Sequence, residues 1–349
     1  MSTAKDQKEQ KQQSKKIEDY LKNEKREYQK IAGEPKILIL GSSDSGKSTF
    51  LKQLKILHGG GFTAEERKIA KNGVLKNILS VIEQLLNNST DAIKKKYELV
   101  TKFISLETGP FMDFPEIIVN LLTTIWNDSN IKTTFISLEQ EFPASTSFFF
   151  DKLTQISTKS YIMTDSDILL LRTVTQTISD TVFPIQGKNM HFYDVSGLKH
   201  HRKSWIPYFQ DITAIVFVVA LSSYDQMMME DPTMNRMVDA LNLFDFIVNH
   251  KLLVNPDMIL FLNKTDLFSA KVKTSFIKPH FPDYNQRDGS VSEGSRFFEK
   301  KFMGLKKNEK KLMMVHFTCC TDTKAMDAIV SGVIISLVTK AVNSAGMIQ

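Results

Sequence analysis

Hydrophobic and polar positions change their spacing along the chain, and these changes divide it into segments. Strand-length apolar runs occur at residues 36–40, 214–221, 258–262 and 313–317, and stretches with helical character separate the later ones. Uninterrupted apolar strands are typical of sheets buried on both faces, and their alternation with helices is typical of parallel connections. The pattern therefore predicts an α/β fold with a doubly wound, mostly parallel sheet.

Residues 62–166 show a different pattern, in which apolar positions recur every three to four residues, as in the run 74–86. This spacing predicts a mostly helical segment. Strand signals return at 181–185 and 190–193, and the intervening residues QGKN favour a tight turn between them. We therefore expect a hairpin after the helical segment.

The first 33 residues are rich in Lys, Glu and Gln and carry one narrow apolar stripe. The stripe consists of positions at nearly helical spacing, Ile17, Tyr20, Leu21, Tyr28 and Ile31. Such a stripe predicts an amphipathic N-terminal helix over this segment. Two interpretations remain open: a frayed, solvated helix, or a helix that lays its stripe on a partner protein.

A glycine-framed loop follows the first apolar run. Residues 41–48 read GSSDSGKS and match the pattern G-x-x-x-x-G-K-[ST] in full, with a strand before them and a helix after them. In such a loop the backbone N–H groups wrap phosphates, Lys47 neutralises their outer oxygens, and the Ser48 hydroxyl is a ligand for Mg²⁺. The alternative interpretation is a plain turn followed by a helix cap.

A second motif follows the apolar run 258–262. Residues 263–266 read NKTD, and a carboxylate at Asp266 can accept both N1–H and the exocyclic amino group of guanine, a donor pair that adenine lacks. The polar turn 318–323 follows the last apolar run. A backbone N–H of this turn can donate to the carbonyl of the base. Downstream of a phosphate loop, this combination predicts a guanine nucleotide.

A third motif, residues 194–197, reads DVSG and follows the strand signal at 190–193. A turn of the form Asp-x-x-Gly after a strand senses the terminal phosphate of a bound triphosphate. About 150 residues separate this turn from Lys47, and the surplus over one helix and two strands has the size of a small helical domain. The insertion lies between two nucleotide-binding motifs, so it is positioned to cover the nucleotide.

Six segments, in this order, resemble α subunits of heterotrimeric G proteins: GSSDSGKSTFLKQLKILH, DVSGLKHHRKSW, VALSSYD, DPTMNRM, FLNKTDLF and HFTCCTDT. The resemblance covers the chain from about Lys15 to the end and identifies a divergent member. It implies a Ras-like P-loop GTPase domain at residues 34–61 and 172–349, an inserted all-α helical domain at 62–171, and the N-terminal helix at 1–33. It also implies three partners, namely a βγ dimer, a seven-helix receptor and an effector.

The resemblance implies roles for residues outside the three motifs as well. Arg172 is expected to be the arginine supplied in cis that stabilises charge on the transferring phosphoryl group, the alternative being an exposed linker arginine. Thr175 is expected to join Ser48 as a ligand of Mg²⁺, and Asp194 is expected to hold the ion through water. The full set of expected nucleotide contacts is Gly41, Ser43, Asp44, Ser45, Gly46, Lys47, Ser48, Thr49, Ser145, Leu169, Arg172, Asp194, Gly197, Asn263, Lys264, Asp266 and Cys320.

Further segments resemble the mobile and receptor-facing parts of the family. Trp205 resembles the tryptophan of the second switch, and residues 224–237 resemble the third switch. Residues 342–348 resemble the tail that contacts the receptor. These segments are therefore expected to respond to nucleotide and to meet partner proteins.

Three residues depart from the family pattern around the reaction centre. Leu198 occupies the position of the water-orienting glutamine, and Ser43 and Ser196 replace glycines. Loss of one positioned orienting group typically costs about 10²–10⁴ in rate, so we expect the protein to hydrolyse GTP slowly or not at all. The alternative is that His200 or His201 orients the water, although their spacing differs by two or three residues.

A further departure concerns the contact between the two expected domains. In the family, an acidic residue of the helical domain pairs with the third residue of N-K-x-D, which is a lysine. We align the loop 143–148 with this region, so that Ala144 replaces the acid and Thr265 replaces the lysine. Loss of such a pair across the cleft weakens the contact by about 1 kcal/mol, and we expect GDP release to be easier.

Composition and the N-terminal sequence bear on the setting of the protein. The 349 residues carry a formal net charge of +6, and the adjacent Cys319 and Cys320 exclude a disulfide framework and favour a reducing compartment. The sequence lacks a bilayer-length apolar run and a signal peptide, and Ser2 stands where N-myristoylation requires glycine. We expect a cytoplasmic protein without a nucleic-acid partner, held peripherally at the cytoplasmic face of the plasma membrane through its partners.

Together these features predict a guanine-nucleotide-binding α subunit that acts as a GTP/GDP switch in receptor signalling, with Mg²⁺ as its cofactor. Because hydrolysis is expected to be slow and release easy, cellular GTP would keep the protein mostly loaded. Two alternatives remain. The first is an ordinary timed GTPase rescued by a regulator in trans, and the second is a scaffold that binds nucleotide only for stability.

Overall fold

The structure is a computed structural model that describes residues 34–98, 100–102, 115–173, 175, 177–228 and 230–344. The side chains of residue 140 and of residues 337–344 fall outside this description. The predicted N-terminal helix at 1–33 therefore lies outside the described residues, as does the end of the predicted tail at 345–348.

The residues that the structure describes form one sheet of six strands. The strands are β1 (Lys36–Leu40), β2 (Ser179–Ile185), β3 (Lys188–Asp194), β4 (Ala214–Ala220), β5 (Asp257–Asn263) and β6 (Met313–Phe317). Their order across the sheet is β2-β3-β1-β4-β5-β6. β2 runs antiparallel to β3, and the other neighbouring strands are parallel. The predicted doubly wound, mostly parallel sheet is confirmed.

The hairpin expected after the helical segment is present as β2 and β3. Its turn consists of Gln186 and Gly187, whose φ angles are 50° and 74°. Two consecutive residues in the left-handed region form the tight turn whose twist matches that of the paired strands. The resulting register places Phe183 opposite Met190, and both side chains are buried.

The strands bury side chains on both faces, as expected for parallel strands. In β1, Leu38 and Leu40 belong to one apolar cluster, and Ile37 and Ile39 belong to the cluster on the opposite face. Side chains alternate between the two faces of a strand, so this division follows directly from the sequence KILIL. Every residue of β4 is buried, which explains its uninterrupted apolar sequence.

Helices cover both faces of the sheet. The helices are α1 (Lys47–His58), α2 (Ala64–Asn87), α3 (Asp91–Lys96), α4 (Glu116–Asn127), α5 (Ser129–Ser137), α6 (Thr146–Asp151), α7 (Leu153–Ser157), α8 (Asp165–Leu170), α9 (Arg236–Val248), α10 (Thr265–Lys271), α11 (Val291–Gly304) and α12 (Thr323–Ser344). α1 and α12 supply residues to the cluster that contains Ile37, whereas α9 and α11 supply residues to the cluster that contains Leu38. Of the described helices, none is long and apolar enough to cross a membrane.

Helices α2 to α8 have an apolar core of their own. All buried members of this cluster lie between Ala70 and Leu171. The long helix α2 is capped by Thr63, whose side chain accepts from the Glu66 N–H while the Glu66 carboxylate accepts from the Thr63 N–H. Reciprocal capping of this kind sets the first turn of a helix. The inserted segment therefore forms a separate hydrophobic unit, while its exact boundaries at 62 and 171 stay a prediction.

The topology opens a crevice at one edge of the sheet. From β1 the chain passes to β2 and β3 on one side, and then returns to β4 on the other side of β1. The loops that follow β1 and β4 therefore leave in opposite directions. In open α/β sheets, ligands bind in the crevice outside the carboxyl ends of the strands at this switch point.

Candidate functional site

A cavity of about 380 Å³ lies in this crevice, and both the sheet part and the helical part of the chain line it. The expected site residues that line it are Ser43, Asp44, Ser45, Gly46, Lys47, Ser48, Thr49, Ser145, Leu169, Arg172, Thr175, Gly197, Leu198, Asn263, Lys264, Asp266 and Cys320. The two other expected residues, Gly41 and Asp194, hydrogen-bond to residues of the wall. The fold thus brings nearly all the predicted site residues to one cavity.

Close packing shapes the loop between β1 and α1. Gly46 has a φ of 108°, and a Cβ at this position would lie 2.1 Å from the side-chain nitrogen of Asn263. That nitrogen donates to the carbonyl of Ser45 at 2.9 Å. No described side chain caps the N-terminus of α1, which begins at Lys47. The first N–H groups of α1 therefore remain available at the cavity, where they favour an anion.

Lys47 lies between the two segments that are expected to contact phosphate. Its ammonium donates to the carbonyls of Gly41 and Ser42 at 3.0 and 2.9 Å. A Cβ on Gly197 would lie 2.4 Å from the same ammonium, so the turn after β3 approaches this lysine as only glycine allows. Burial lowers the pKa of Lys47 to about 8, although the charge of Asp194 opposes the shift.

Three oxygen-bearing side chains meet at the start of α1. The Ser48 hydroxyl lies 2.8 Å from the Thr175 hydroxyl, and both hydroxyls donate to one carboxylate oxygen of Asp194 at 3.2 Å. The other oxygen of Asp194 is buried and finds no hydrogen-bond partner among the described residues. Burial raises the pKa of Asp194, and the charge of Lys47 opposes this effect.

These oxygens fit a small divalent cation. Mg²⁺ prefers oxygen ligands and is usually bound by one or two carboxylates together with phosphates and waters. Two hydroxyls and one partly unsatisfied carboxylate at the entrance to an anion site match that preference. In the described part of the chain, no group of three or more His, Cys, Asp and Glu side chains is placed to hold a metal ion. A metal site here would therefore depend on the hydroxyls of Ser48 and Thr175.

Asn263 joins the loops at the other end of the cavity. Its side-chain oxygen accepts from the Cys320 N–H at 3.0 Å and from the Thr318 hydroxyl at 3.1 Å. The Cys320 N–H therefore donates to Asn263. The sequence predicted that a backbone N–H of this turn would face the base. Cys319 and Thr321 of the same turn also line the cavity.

Among the described residues, Asp266 and Asp44 are the carboxylates of the cavity wall. Asp266 lies in the first turn of α10. Asp44 lies 3.1 Å from the Lys264 ammonium and 3.3 Å from the Arg236 guanidinium. Burial by itself would raise the pKa of this carboxyl, but the charges of Lys264, Arg236 and Arg172 hold it well below its usual range. The phosphate loop is thereby tied to the loop after β5 and to α9.

Two basic residues that the sequence did not reveal belong to the site. Arg236, at the start of α9, also donates to the Ser43 carbonyl at 2.9 Å. Lys52, on α1, lines the cavity and donates to the carbonyls of Ile168 and Leu171 at 3.0 and 2.7 Å. Both positions lie within segments that resemble the family, 41–58 and 231–237, but a lysine or arginine on a helix ordinarily indicates a solvated surface, so the sequence did not single them out.

Lys52 and Asn77 connect the sheet part to the helical part near the cavity. Burial lowers the pKa of Lys52 to about 8. Asn77 donates to the carbonyl of Arg172 at 3.1 Å, and Arg172 itself lines the cavity. Ala144 lines the cavity without a charge, and the Thr265 hydroxyl donates to a carbonyl in its own part of the chain at 3.1 Å. Among the described residues, this contact therefore consists of hydrogen bonds from Lys52 and Asn77 to carbonyls, and Ala144 and Thr265 add no ion pair.

The helical part closes one side of the cavity. Ser145 donates its hydroxyl to the Leu170 carbonyl at 2.8 Å, and Leu169 is buried near the end of α8. This bond fixes the loop that contains Ser145 against α8. A direct contact of Ser145 or Leu169 with nucleotide stays a prediction.

The turn after β3 contains two of the departures from the family pattern. Leu198 is half-buried and lines the cavity, and its side chain is apolar. The Ser196 hydroxyl lies 2.9 Å from Nδ1 of His201, and the Trp205 indole donates to the Ser196 carbonyl at 3.2 Å. The His200 ring packs edge-on against His201 at 4.1 Å. Nδ1 of His201 is therefore engaged with the turn itself.

Charged pairs connect this turn to the segments that resemble the switches. The Lys199 N–H donates to Glu230 at 2.8 Å, and the Lys199 ammonium donates to Asp231 at 2.9 Å. Arg202 donates to both carboxylate oxygens of Asp239 at 2.8 and 2.5 Å. A bidentate pair of this kind is strong and directional. A displacement of the turn would therefore break several bonds to residues 230–239.

Comparisons with known proteins agree with this geometry. The family model described as G-protein alpha subunit matches residues 11–336. The chain is 37% identical over 322 residues to the guanine nucleotide-binding protein alpha-3 subunit of Caenorhabditis elegans, covering 89% of this chain and 90% of that protein. It is 35% identical over 334 residues to the guanine nucleotide-binding protein subunit alpha of Emericella nidulans, covering 93% of each.

A third relative extends the match along the chain. The guanine nucleotide-binding protein alpha-1 subunit of Neurospora crassa is 35% identical over 341 residues, covering 95% of each protein. Matches of this length and identity confirm the resemblance seen in the motifs and the fold that it implied. The chain belongs to the family of G-protein α subunits.

Proposed function

We propose that this G-protein α subunit binds GTP together with Mg²⁺ and hydrolyses the GTP slowly or not at all. The observation that carries the proposal is the position of Leu198, an apolar residue that lines the cavity beside Gly197. Residues suited to bind phosphates, a cation and a base surround the same cavity. The residues needed to bind GTP and Mg²⁺ are therefore present. The residue at the position that would orient the attacking water has no polar side-chain atom.

The phosphates would lie between the loop after β1 and the turn after β3. The N–H groups at the start of α1 and the Lys47 ammonium complement their charge there. Ser48 and Thr175 would hold Mg²⁺ directly, and Asp194 would hold it through water. When bound, the ion neutralises charge on the phosphate oxygens. The Gly197 N–H, close to the Lys47 ammonium, would sense the terminal phosphate.

The base would lie at the end of the cavity that Asn263 organises. Asp266 would accept the two adjacent donors of guanine, and adenine offers no such pair. Lys264 and the turn 319–321 would flank the ring, because they line the same end of the wall. The protein would therefore discriminate GTP and GDP from ATP.

Arg172 would place a positive charge near the transferring phosphoryl group. It lines the cavity, and its backbone carbonyl is held by Asn77. An arginine supplied in cis stabilises the charge that develops on the transferring phosphoryl group. Without a group to orient the water, this charge alone would leave a residual rate.

We also propose that GDP leaves readily. Ala144 and Thr265 provide no ion pair across the cleft, and the Thr265 hydroxyl is directed to a carbonyl of its own part of the chain. Slow hydrolysis and ready release would both favour the GTP-bound form. The protein would then act as a persistent signal.

Partners and location follow from the family in general. The α subunits act with a βγ dimer and a seven-helix receptor, and we propose the same two partners here, together with an effector of unknown identity. We further propose that the protein works at the cytoplasmic face of the plasma membrane, where such receptors present their inner surface.

One observation favours a second candidate, an ordinary timed GTPase. The Ser196 hydroxyl belongs to a residue that lines the cavity, and it is paired with the His201 imidazole at 2.9 Å. A serine supported by histidine could position a water molecule in place of the missing glutamine. The same result would follow if a regulator supplied the orienting group in trans.

The test is single-turnover hydrolysis of preloaded, γ-labelled GTP with Mg²⁺. We compare the wild type with Leu198→Gln, which restores an amide, and with Leu198→Met, which matches the size without an amide. We expect Leu198→Gln to approach the rate of about 10⁻² s⁻¹ that is typical of an arginine in cis. Wild type and Leu198→Met should remain about 10²-fold or more slower.

Either of two results would contradict the proposal. If the wild type already hydrolyses GTP at the rate expected for an arginine in cis, another group orients the water. Ser196→Gly and His201→Leu would then reveal whether the second candidate applies, because each should lower the rate. If Leu198→Gln binds GTP normally but stays as slow as Leu198→Met, the lost amide is not the limiting defect.

A further inference from the structure

We propose that a basic and apolar face at the amino edge of the sheet binds anionic lipid membranes. Two segments form this surface, here called the basic face: residues 250–256 between α9 and β5, and residues 303–312, which run from the last two residues of α11 to the start of β6. β5 and β6 are parallel, begin beside these segments and end at the nucleotide cavity. The basic face and the cavity therefore lie at opposite edges of the sheet, and the proposal does not depend on nucleotide binding.

Hydrogen bonds hold the two segments side by side. Asn249 donates to the Leu305 carbonyl at 2.9 Å and accepts from the Lys307 N–H at 3.0 Å. The buried Lys311 donates its ammonium to the Leu253 carbonyl. Each of these bonds involves a backbone group, so the segments form one surface of defined shape.

The exposed side chains of the basic face are mainly lysines and aliphatic residues. The lysines are Lys251, Lys307 and Lys310, and the aliphatic residues are Leu252 (52% exposed), Val254 (51%), Met303 (45%) and Leu312 (62%). Asn255, Asn308 and Glu309 are exposed as well. Asp245, on the adjacent helix, pairs with Lys307 at 3.8 Å. The exposed part of the face therefore carries more lysines than acidic residues, together with large apolar side chains that are accessible to water.

This composition fits a lipid surface better than a protein surface. Protein interfaces are enriched in Tyr, Trp and Arg and depleted in Lys. Four of the five lysines in the two segments are exposed or half-buried, since Lys311 is buried, and the segments contain neither arginine nor any aromatic residue other than His250. At an anionic membrane each lysine near the surface contributes through the negative surface potential, and aliphatic side chains enter the boundary between headgroups and acyl chains.

The course of α12 supports the same orientation. This helix of 22 residues follows β6 at the cavity edge and spans about 33 Å, whereas β6 has 5 residues and spans about 17 Å. α12 therefore returns to the amino edge of the sheet. The predicted receptor-contacting tail, residues 342–348, begins in the last turn of α12, so a receptor bound there would place the membrane on the side of the basic face.

The experiment is sedimentation of the full chain with lipid vesicles. We compare vesicles of phosphatidylcholine alone with vesicles of phosphatidylcholine and phosphatidylserine. The wild type should sediment with the anionic vesicles and not with the neutral vesicles. Its binding should weaken as the salt concentration rises. Lys307→Glu with Lys310→Glu should lower the partition coefficient about tenfold or more, because each lysine is worth about 1 kcal/mol near such a surface. Leu252→Ser with Leu312→Ser should lower it several-fold.

A matched control separates a local face from overall charge. Lys76→Glu with Lys95→Glu changes the net charge by the same amount on exposed positions of the helical part. The proposal is overturned if this control loses as much binding as the variant of the basic face. It is also overturned if the wild type ignores anionic vesicles, and an acidic protein would then be the remaining occupant. GDP binding by each variant verifies its fold, since none of these residues lines the cavity.

Discussion

At the scale of single residues, the site combines close packing with unusual charges. Gly46 and Gly197 let backbone segments approach Asn263 and Lys47 at distances that a Cβ would prevent. Burial lowers the pKa of Lys47, while three positive neighbours hold the pKa of Asp44 low. The phosphate loop therefore holds positive charges close together, and an anionic ligand would neutralise part of them.

The titration of Lys47 predicts a pH dependence of nucleotide affinity. Burial lowers its pKa to about 8 in the free protein, and a bound phosphate would raise this pKa because it stabilises the ammonium form. Below the pKa of the free protein, Lys47 is already charged and contributes fully to the affinity. As the pH rises through that pKa, the free protein loses the proton and this contribution decreases. We expect the affinity for GDP to fall by up to about tenfold per pH unit above pH about 8.

Equilibrium titration with GDP on both sides of this pH measures the effect. Lys52 is the matched control, because burial lowers its pKa to about 8 as well. Lys52→Met should keep the pH dependence if Lys47 causes it. If the dependence disappears in this variant, its source is Lys52 and the prediction is wrong.

The bond between Ser196 and His201 predicts coupling between the two side chains. A double-mutant cycle with Ser196→Ala and His201→Leu should show a coupling free energy of about 0.5–1.5 kcal/mol in urea unfolding. Fluorescence of Trp205 reports on this turn, because its indole bonds to the Ser196 carbonyl. The measurement uses Trp126→Phe as the background, since the sequence has two tryptophans. Additive effects would show that the bond does not stabilise the turn.

At the scale of elements, α1 serves both the nucleotide and the contact between the two parts of the chain. Its N-terminus faces the cavity, and one turn later Lys52 reaches the carbonyls of Ile168 and Leu171 at the end of α8. Carbonyl groups at the end of a helix favour a cation. A shift of α8 would therefore disturb the wall of the cavity directly.

Restoring the family's ion pair should slow GDP release. Ala144→Asp with Thr265→Lys would place opposite charges on the two sides of the cavity, worth about 1 kcal/mol. We expect the dissociation rate of labelled GDP, measured by competition with unlabelled GDP, to fall about fivefold. Each single substitution is its own control and should leave the rate nearly unchanged. An equal effect of one single variant would indicate a local change rather than a pair across the cleft.

At the scale of the whole molecule, two hydrophobic units meet at one cavity. The sheet with its flanking helices has a core on each face, and helices α2 to α8 have a separate core. A ligand between two units stabilises both, because it binds the folded state and not the unfolded chain.

Ligand-dependent thermal unfolding tests this arrangement and the choice of base. GDP or GTP at about 100 times its dissociation constant should stabilise the protein by about 2.7 kcal/mol and raise the Tm by a few degrees. ATP at the same concentration should leave the Tm nearly unchanged, because Asp266 finds no donor pair on adenine. An equal shift with ATP would contradict the assignment of Asp266, and no shift with either guanine nucleotide would contradict the whole site.

The sequence alone determined the sheet, the hairpin, the three motifs and the family. Each of these depends on residues that are close together along the chain, as in the alternation of KILIL or the spacing from Gly41 to Ser48. Local spacing sets which face a side chain occupies and which loop follows a strand. The predicted site residues met in one cavity because parallel strands end at the same edge.

Only the tertiary structure decided the contacts between distant segments. Arg236 reaches the phosphate loop, and Lys52 reaches α8. It also decided that the lysines before β6 share one face with the loop before β5. A charged residue on a helix or in a loop looks solvated in sequence, since its partner depends on how helices pack on the sheet, and that packing is not encoded by local spacing.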